Sequence, residues 1–114
     1  MARNETDLQI SCARYLDCLG VLWCHVANER QTSPMRGGKL KKMGVKPGVP
    51  DILIFDSRAG FHGLAIELKH GRGRNTESQM QFQLDLQNRG WAVHVVNNID
   101  DFIRIVDDYL NSDL

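Results

Sequence analysis

Two short apolar runs constrain the folding of this 114-residue chain more than any other feature. Asp51–Phe55 and Gly63–Lys69 read as strands, and Asp56-Ser57-Arg58-Ala59-Gly60 between them has the composition of a turn. The runs are therefore predicted to pair as a hairpin. Alternation sends Leu64, Ile66 and Leu68 to one face of the second strand and Ala65, Glu67 and Lys69 to the other. In a hairpin the start of the first strand lies beside the end of the second, so Asp51 is expected next to Glu67 and Lys69. Three ionisable groups at a strand end are costly in otherwise apolar strands unless something compensates them. A divalent cation would compensate both carboxylates.

The flanking segments supply the other elements. Residues 5–19 have the spacing of an amphipathic helix through Leu8, Cys12, Tyr15, Leu16 and Leu19, with Asn4 as a candidate cap and Gly20 as terminator. Val21–Val26 is rich in strand-forming residues. Residues 27–50 hold Ser33-Pro34, Gly37-Gly38, Gly44, Pro47-Gly48 and Pro50 among many lysines. They read as a long loop with one short helical turn near Leu40–Met43. Thr76–Arg89 is predicted helical, with Thr76 as N-cap, Gln79 at the capping-box position and Gly90 closing it. Trp91–Val96 reads as a strand. Asp100–Leu110 reads as a helix with Phe102, Ile103, Val106 and Leu110 inward. The order α-β-loop-β-β-α-β-α predicts an α/β fold, a mixed β-sheet flanked by helices, in a single domain over 1–114.

Composition narrows the classes. No apolar run approaches the roughly 18 residues of a membrane span, and the first residues are polar and acidic, so a cytoplasmic protein with no membrane partner is expected. Cys12, Cys18 and Cys24 are odd in number and form no CxxC pair, which predicts reduced, mostly buried thiols. Net charge is zero, but it is unevenly spread: residues 29–74 carry ten Lys and Arg against four acids, a net of +6, while residues 75–114 carry a net of −5. The basic block could track a phosphate backbone or simply be a solvated loop.

Phosphodiester hydrolysis fits this residue set. A hard cation such as Mg²⁺ takes carboxylate oxygens and keeps several waters, so two carboxylates form a typical protein share of its shell. Glu67 and Lys69 point the same way, so Lys69 can lie beside the metal-bound water, where it could orient the nucleophile or stabilise charge developing on the phosphorane. Leu68 between them points into the core, with its carbonyl as a candidate further ligand. Glu-Leu-Lys alone is a common solvated triplet. Asp51 and the basic loops are what raise its significance.

Gly48-Val49-Pro50-Asp51, then Ala65-Ile66-Glu67-Leu68-Lys69, then Ser78-Gln79 resemble the PD-(D/E)xK nuclease superfamily. More narrowly, they resemble the virus-type replication-repair nuclease (VRR-NUC) domain. The resemblance spans nearly the whole chain, including Glu5-x-x-Leu8-Gln9, His25-x-x-Asn28-Glu29 and the Gly44–Asp51 approach. It implies a restriction-endonuclease-like core and a Mg²⁺- or Mn²⁺-dependent deoxyribonuclease. Asp51 and Glu67 would be metal ligands and Lys69 the catalytic lysine. Glu5 would approach the metal through water or a second metal site, and Gln79 would reach the centre from its helix. Each has a plainer reading, Glu5 as a helix N-terminal acid and Gln79 as a capping residue. His25 could touch DNA or be only a strand residue.

Asn28, Arg30, Arg36, Lys39, Lys41, Lys42, Lys46, His70, Arg72 and Arg74 would contact DNA, mostly at phosphates, which position without reading sequence. Stand-alone domains of this type resemble phage and bacterial Holliday-junction resolvases. That implies branched DNA as substrate, a homodimer, and a bacterial or phage-infected cell as setting. A flap or DNA-end nuclease, a non-catalytic DNA-binding module and an α/β protein with no nucleic-acid role are the alternatives.

Overall fold

The computed structural model describes residues 3–27 and 34–112. In chain order the elements are α1 (Arg3–Leu19), β1 (Trp23–His25), α2 (Pro34–Lys42), β2 (Ile52–Ile54), β3 (Leu64–Leu68), α3 (Glu77–Asn88), β4 (Ala92–Val96) and α4 (Ile99–Leu110). One mixed sheet has the order β1-β2-β3-β4, so β2 and β3 are central. β1–β2 and β2–β3 are antiparallel. β3–β4 is parallel, with Leu64 opposite Ala92 and Leu68 opposite Val96, and α3 forms the crossover that a parallel pair requires. The α/β fold read from the sequence is the fold observed.

The hairpin register sets Ile52 against Ile66 and Ile54 against Leu64. These four side chains are wholly buried and face Cys12 and Leu16 of α1 and Phe102 and Val106 of α4. That layer is the core, and removing the Phe102 ring would cost about 3–5 kcal/mol. α1 is tied to α4 by the Tyr15 hydroxyl, which donates to Asp107. It is tied to β1 by Trp23 Nε1, which donates to Asp17 Oδ1 at 2.9 Å. The connection from β2 to β3 contains a tight Arg58–Phe61 turn closed by Phe61 N–H to Arg58 O at 2.8 Å. Ala59 (φ 50°) and Gly60 (φ 83°) are both left-handed, as a type I′ turn demands.

Several local expectations are corrected. Residues 34–42 form the helix α2 rather than part of a long loop. Pro34 opens it, where the missing N–H and fixed φ suit the first helical position. α1 spans Arg3–Leu19, so Asn4 lies within the helix and not at the position before it, and Leu19 is exposed. In α4 the third buried position is Tyr109, whose hydroxyl donates to Asp56 O at 2.8 Å, while Ile103 and Leu110 are half-buried. Only Cys12 is buried. Cys18 lies on the outer side of α1 and Cys24 on an edge strand, and both are exposed.

Candidate active site

Three chain segments converge at one end of the sheet. Extending the β2–β3 register by one residue sets Asp51 opposite Glu67, and Lys69 follows two residues on. Asp51, Glu67 and Lys69 are 7%, 1% and 9% exposed. Two carboxylates and one ammonium have thus been almost fully withdrawn from water, at a desolvation cost that needs geometry to offset it.

Much of that geometry is visible. The Asp51 carboxylate accepts the Leu68 N–H at 2.8 Å, which locks it onto the peptide joining Leu68 to Glu67. The Asp51 carbonyl accepts the Val26 N–H at 2.7 Å and lies 2.9 Å from His25 Nδ1. A carbonyl can only accept, so Nδ1 carries the hydrogen in that contact. β1 therefore braces the main chain of Asp51 from one side while β3 holds its carboxylate from the other. Leu68 itself turns its side chain into the core.

Gln79 arrives on the first turn of α3. The capping box read from the sequence is present: Thr76 Oγ1 accepts the Gln79 N–H at 3.2 Å, and Gln79 Oε1 accepts the Thr76 N–H at 2.9 Å. The same Oε1 accepts from Lys69 Nζ at 2.6 Å, and Gln79 Nε2 donates to Glu67 Oε2 at 3.3 Å. One side chain thus makes both the cap and the contacts to Lys69 and Glu67, where the sequence offers a capping role and a place in the site as alternatives.

Gly48 explains why α3 can come so close. At φ 84° its backbone rests on the first turn of α3, and a Cβ there would lie 2.3 Å from Ser78 O and 2.8 Å from Gln79 N. The sequence places Gly48 in the loop that approaches Asp51. Its Pro-Gly context signals a turn, but no local signal reveals the contact with Ser78. Nor does any sequence signal point to the Leu68 N–H as the anchor of Asp51.

The remaining candidates fall into two groups. Lys39, Lys41 and Lys42 are exposed along the last turn of α2, and Lys46 is exposed between α2 and Asp51. His70, Arg72 and Arg74 are exposed in the loop that leaves β3, which is tied down by Asn97 Nδ2 donating to Gly71 O at 3.2 Å. Both basic segments are joined in sequence to residues of the carboxylate–lysine cluster. Asn28 and Arg30 lie outside the described residues, as do the side chains of Glu5 and Arg36.

The donor set fits a hard divalent cation. Asp51 and Glu67 offer carboxylate oxygens on neighbouring strands, and among the described residues neither His nor Cys joins them in a ligand cluster, a donor set suited to Mg²⁺ or Mn²⁺ more than to zinc. Among the described residues no group of three His, Cys, Asp or Glu side chains is assembled, so Asp51 and Glu67 are the carboxylate pair that the described residues bring together here. An open cavity of about 520 Å³ lies at the opposite end of the sheet, lined by Ser57–His62 and Ser112. Its arginine, Arg58, donates to the carbonyls of Leu110 and Ser57 at 3.2 and 2.8 Å, so it carries no comparable chemistry. Among the described residues no helix is long and apolar enough to cross a membrane.

Comparison with known proteins gives a consistent picture. No protein-family model and no curated protein matches the sequence. A solved structure titled "VRR_NUC domain protein" superposes with a TM-score of 0.76 at 26% identity, over 99% of this chain and 93% of that one. Another, titled "VRR_NUC domain", superposes at 0.64 with 19% identity, over 95% of this chain and 99% of that one, a likeness of fold.

Proposed function

We propose, since this chain is a VRR-NUC domain and so a nuclease-type domain, that it is a metal-dependent, structure-selective DNA endonuclease resembling Holliday-junction resolvases. The observation that carries this reading is the convergence of two buried carboxylates and one lysine at the ends of adjacent strands, in a stretch of chain whose flanking segments carry exposed lysines and arginines.

Asp51 and Glu67 would hold Mg²⁺ or Mn²⁺, the Leu68 carbonyl and Glu5 would complete the protein's share, and water would take the rest. The bound ion would supply charge neutralisation and polarisation of the scissile phosphate. The chain's own residues do the rest. Asp51, clamped between β1 and Leu68, fixes the carboxylate pair at the sheet end. Lys69 presents an ammonium on the Glu67 face, where it can donate to a phosphoryl oxygen as negative charge builds in the transition state. Lys39, Lys41, Lys42, Lys46, Arg72 and Arg74, with Arg36, Asn28, Arg30 and His70, would grip backbone phosphates on either side of the centre. Those contacts position the strand, and they make binding fall steeply with salt.

A junction resolvase cuts two strands of a four-way junction, so we propose a two-fold homodimer acting on branched DNA. Half-exposed Met80 and Leu84, one turn apart on α3, offer apolar surface for such a contact. A cytoplasmic setting, in a bacterial or phage-infected cell, belongs to the same reading.

The test is cleavage of labelled four-way junctions, flaps and linear duplex at matched salt, in Mg²⁺, Mn²⁺, Ca²⁺ or EDTA. The expected result is junction cleavage in Mg²⁺ or Mn²⁺ but not EDTA. Asp51→Ala, Glu67→Ala or Lys69→Ala should reduce it by about 10²–10³ or more while DNA binding is kept. Full activity in any one variant would reject the assignment, and preferential cutting of flaps would move the substrate to the flap or DNA-end class.

A further inference from the structure

Glu67 and Lys69 share one face of β3, yet Lys69 Nζ stops 3.9 Å from Glu67 Oε2 while approaching Gln79 Oε1 to 2.6 Å. An ammonium and a carboxylate this well shielded from water ordinarily close to about 2.7–2.9 Å. Here the Gln79 carbonyl takes the ammonium's nearest contact instead.

That carbonyl cannot turn away. The Thr76 N–H and the Lys69 ammonium only donate, and the Glu67 carboxylate only accepts. One orientation of the Gln79 amide satisfies all three, with Oε1 toward Thr76 N (2.9 Å) and Lys69, and Nε2 toward Glu67. The side chain's root is fixed as well, because the Gln79 N–H is held by Thr76 Oγ1 and Gly48 rests on Ser78. The helix cap and the centre of the site are therefore one hydrogen-bonded unit.

We propose that Gln79 is a positioning residue. Its amide, locked by the Thr76 N–H, holds the Lys69 ammonium off Glu67 and so keeps that carboxylate available to a divalent cation. This inference rests on the nuclease reading above. Without the amide, Lys69 closes onto Glu67 and competes with the metal for the same oxygens.

The experiment is a double-mutant cycle read by Mn²⁺ affinity, measured by calorimetry on the full chain without DNA. Gln79→Leu should weaken Mn²⁺ binding by about tenfold, the range seen when outer partners of metal ligands are removed. In a Lys69→Met background the same substitution should weaken affinity by clearly less, because no ammonium remains to collapse and only the Gln79 contact to Glu67 is lost. Thr76→Pro should behave like Gln79→Leu, since φ −76° accepts the proline ring while the N–H is lost. Thr76→Ala keeps the N–H, removes only the hydroxyl cap, and should weaken Mn²⁺ binding less than Thr76→Pro.

Equal weakening by Gln79→Leu in both lysine backgrounds, or no weakening in either, overturns the inference. So do equal effects of Thr76→Ala and Thr76→Pro. If Thr76→Pro fails to fold, the Gln79–Lys69 cycle decides by itself. A parent protein that neither binds Mn²⁺ nor cleaves DNA defeats the nuclease reading, and this inference with it. A parent that does both but shows no Gln79–Lys69 coupling defeats this inference alone.

Discussion

Gly48→Ala should damage the candidate centre without altering any of its polar groups. The added Cβ would lie 2.3 Å from Ser78 O, 2.5 Å from Ser78 C and 2.8 Å from Gln79 N, all backbone atoms that no rotamer change can remove. Either residues 47–50 or the first turn of α3 must retreat by roughly 1 Å, and a shift of that size at a catalytic centre costs about 10²-fold. Overpacking of about 1–3 kcal/mol adds to left-handed strain of about 1–2 kcal/mol at φ 84°, for a destabilisation of about 2–5 kcal/mol. Chemical denaturation followed by circular dichroism measures the stability, and cleavage of a labelled four-way junction measures the activity. Gly38→Ala is the matched control. Gly38 is inside α2, and a Cβ added there would meet nothing within 4 Å, so alanine should stabilise by about 0.5–1 kcal/mol. If Gly48→Ala folds within about 0.5 kcal/mol of the parent and cleaves as well, the close approach is not what seats α3, and the reasoning fails.

Three further outcomes follow from local chemistry. Burial pushes the Cys12 thiol up to about 12, so at pH 8 a disulfide reagent should titrate Cys18 and Cys24 quickly and reach Cys12 only on unfolding; three equally fast thiols would contradict the packing of α1. Burial, then the Arg104 charge, hold His94 below its ordinary 6.5, so the folded state takes up this proton less readily than the unfolded chain. Its contribution is present above about 6.5 and is lost as pH falls from there through the lowered folded value, and His94→Gln should flatten this component in denaturation curves from pH 8 to 5. Ala59→Asn should stabilise by about 0.5–1 kcal/mol, because asparagine tolerates the left-handed φ and completes an Asn-Gly type I′ turn; a lower melting temperature would refute that reading of the turn.

What is legible in the sequence is what short-range rules govern. Thr76 and Gln79 lie within one helical turn, so their reciprocal cap can be read directly. Asp51 and Glu67 are separated by one turn connection, so their adjacency follows once the hairpin is assumed. α2 escapes because Gly37, Gly38 and a cluster of lysines outweigh the helix-opening value of Pro34 in any local count. The Gly48–Ser78 contact escapes for a different reason. It depends on how a crossover helix settles against a preceding loop, which no spacing encodes. Tyr109 is passed over on α4 because its hydroxyl finds a partner in Asp56, 53 residues earlier in the chain and invisible to periodicity.

The mixed pairing around β3 orders events in time. Its antiparallel neighbour β2 is reached through a short connection containing a two-residue turn, whereas its parallel neighbour β4 waits until an entire helix has been laid across the sheet. A refolding chain is therefore expected to bring Asp51 and Glu67 together early, on the fast timescale of hairpins, and to seat α3 later. The contact that Gln79 makes with the Lys69 ammonium belongs to α3, so it can form only when the crossover helix is seated.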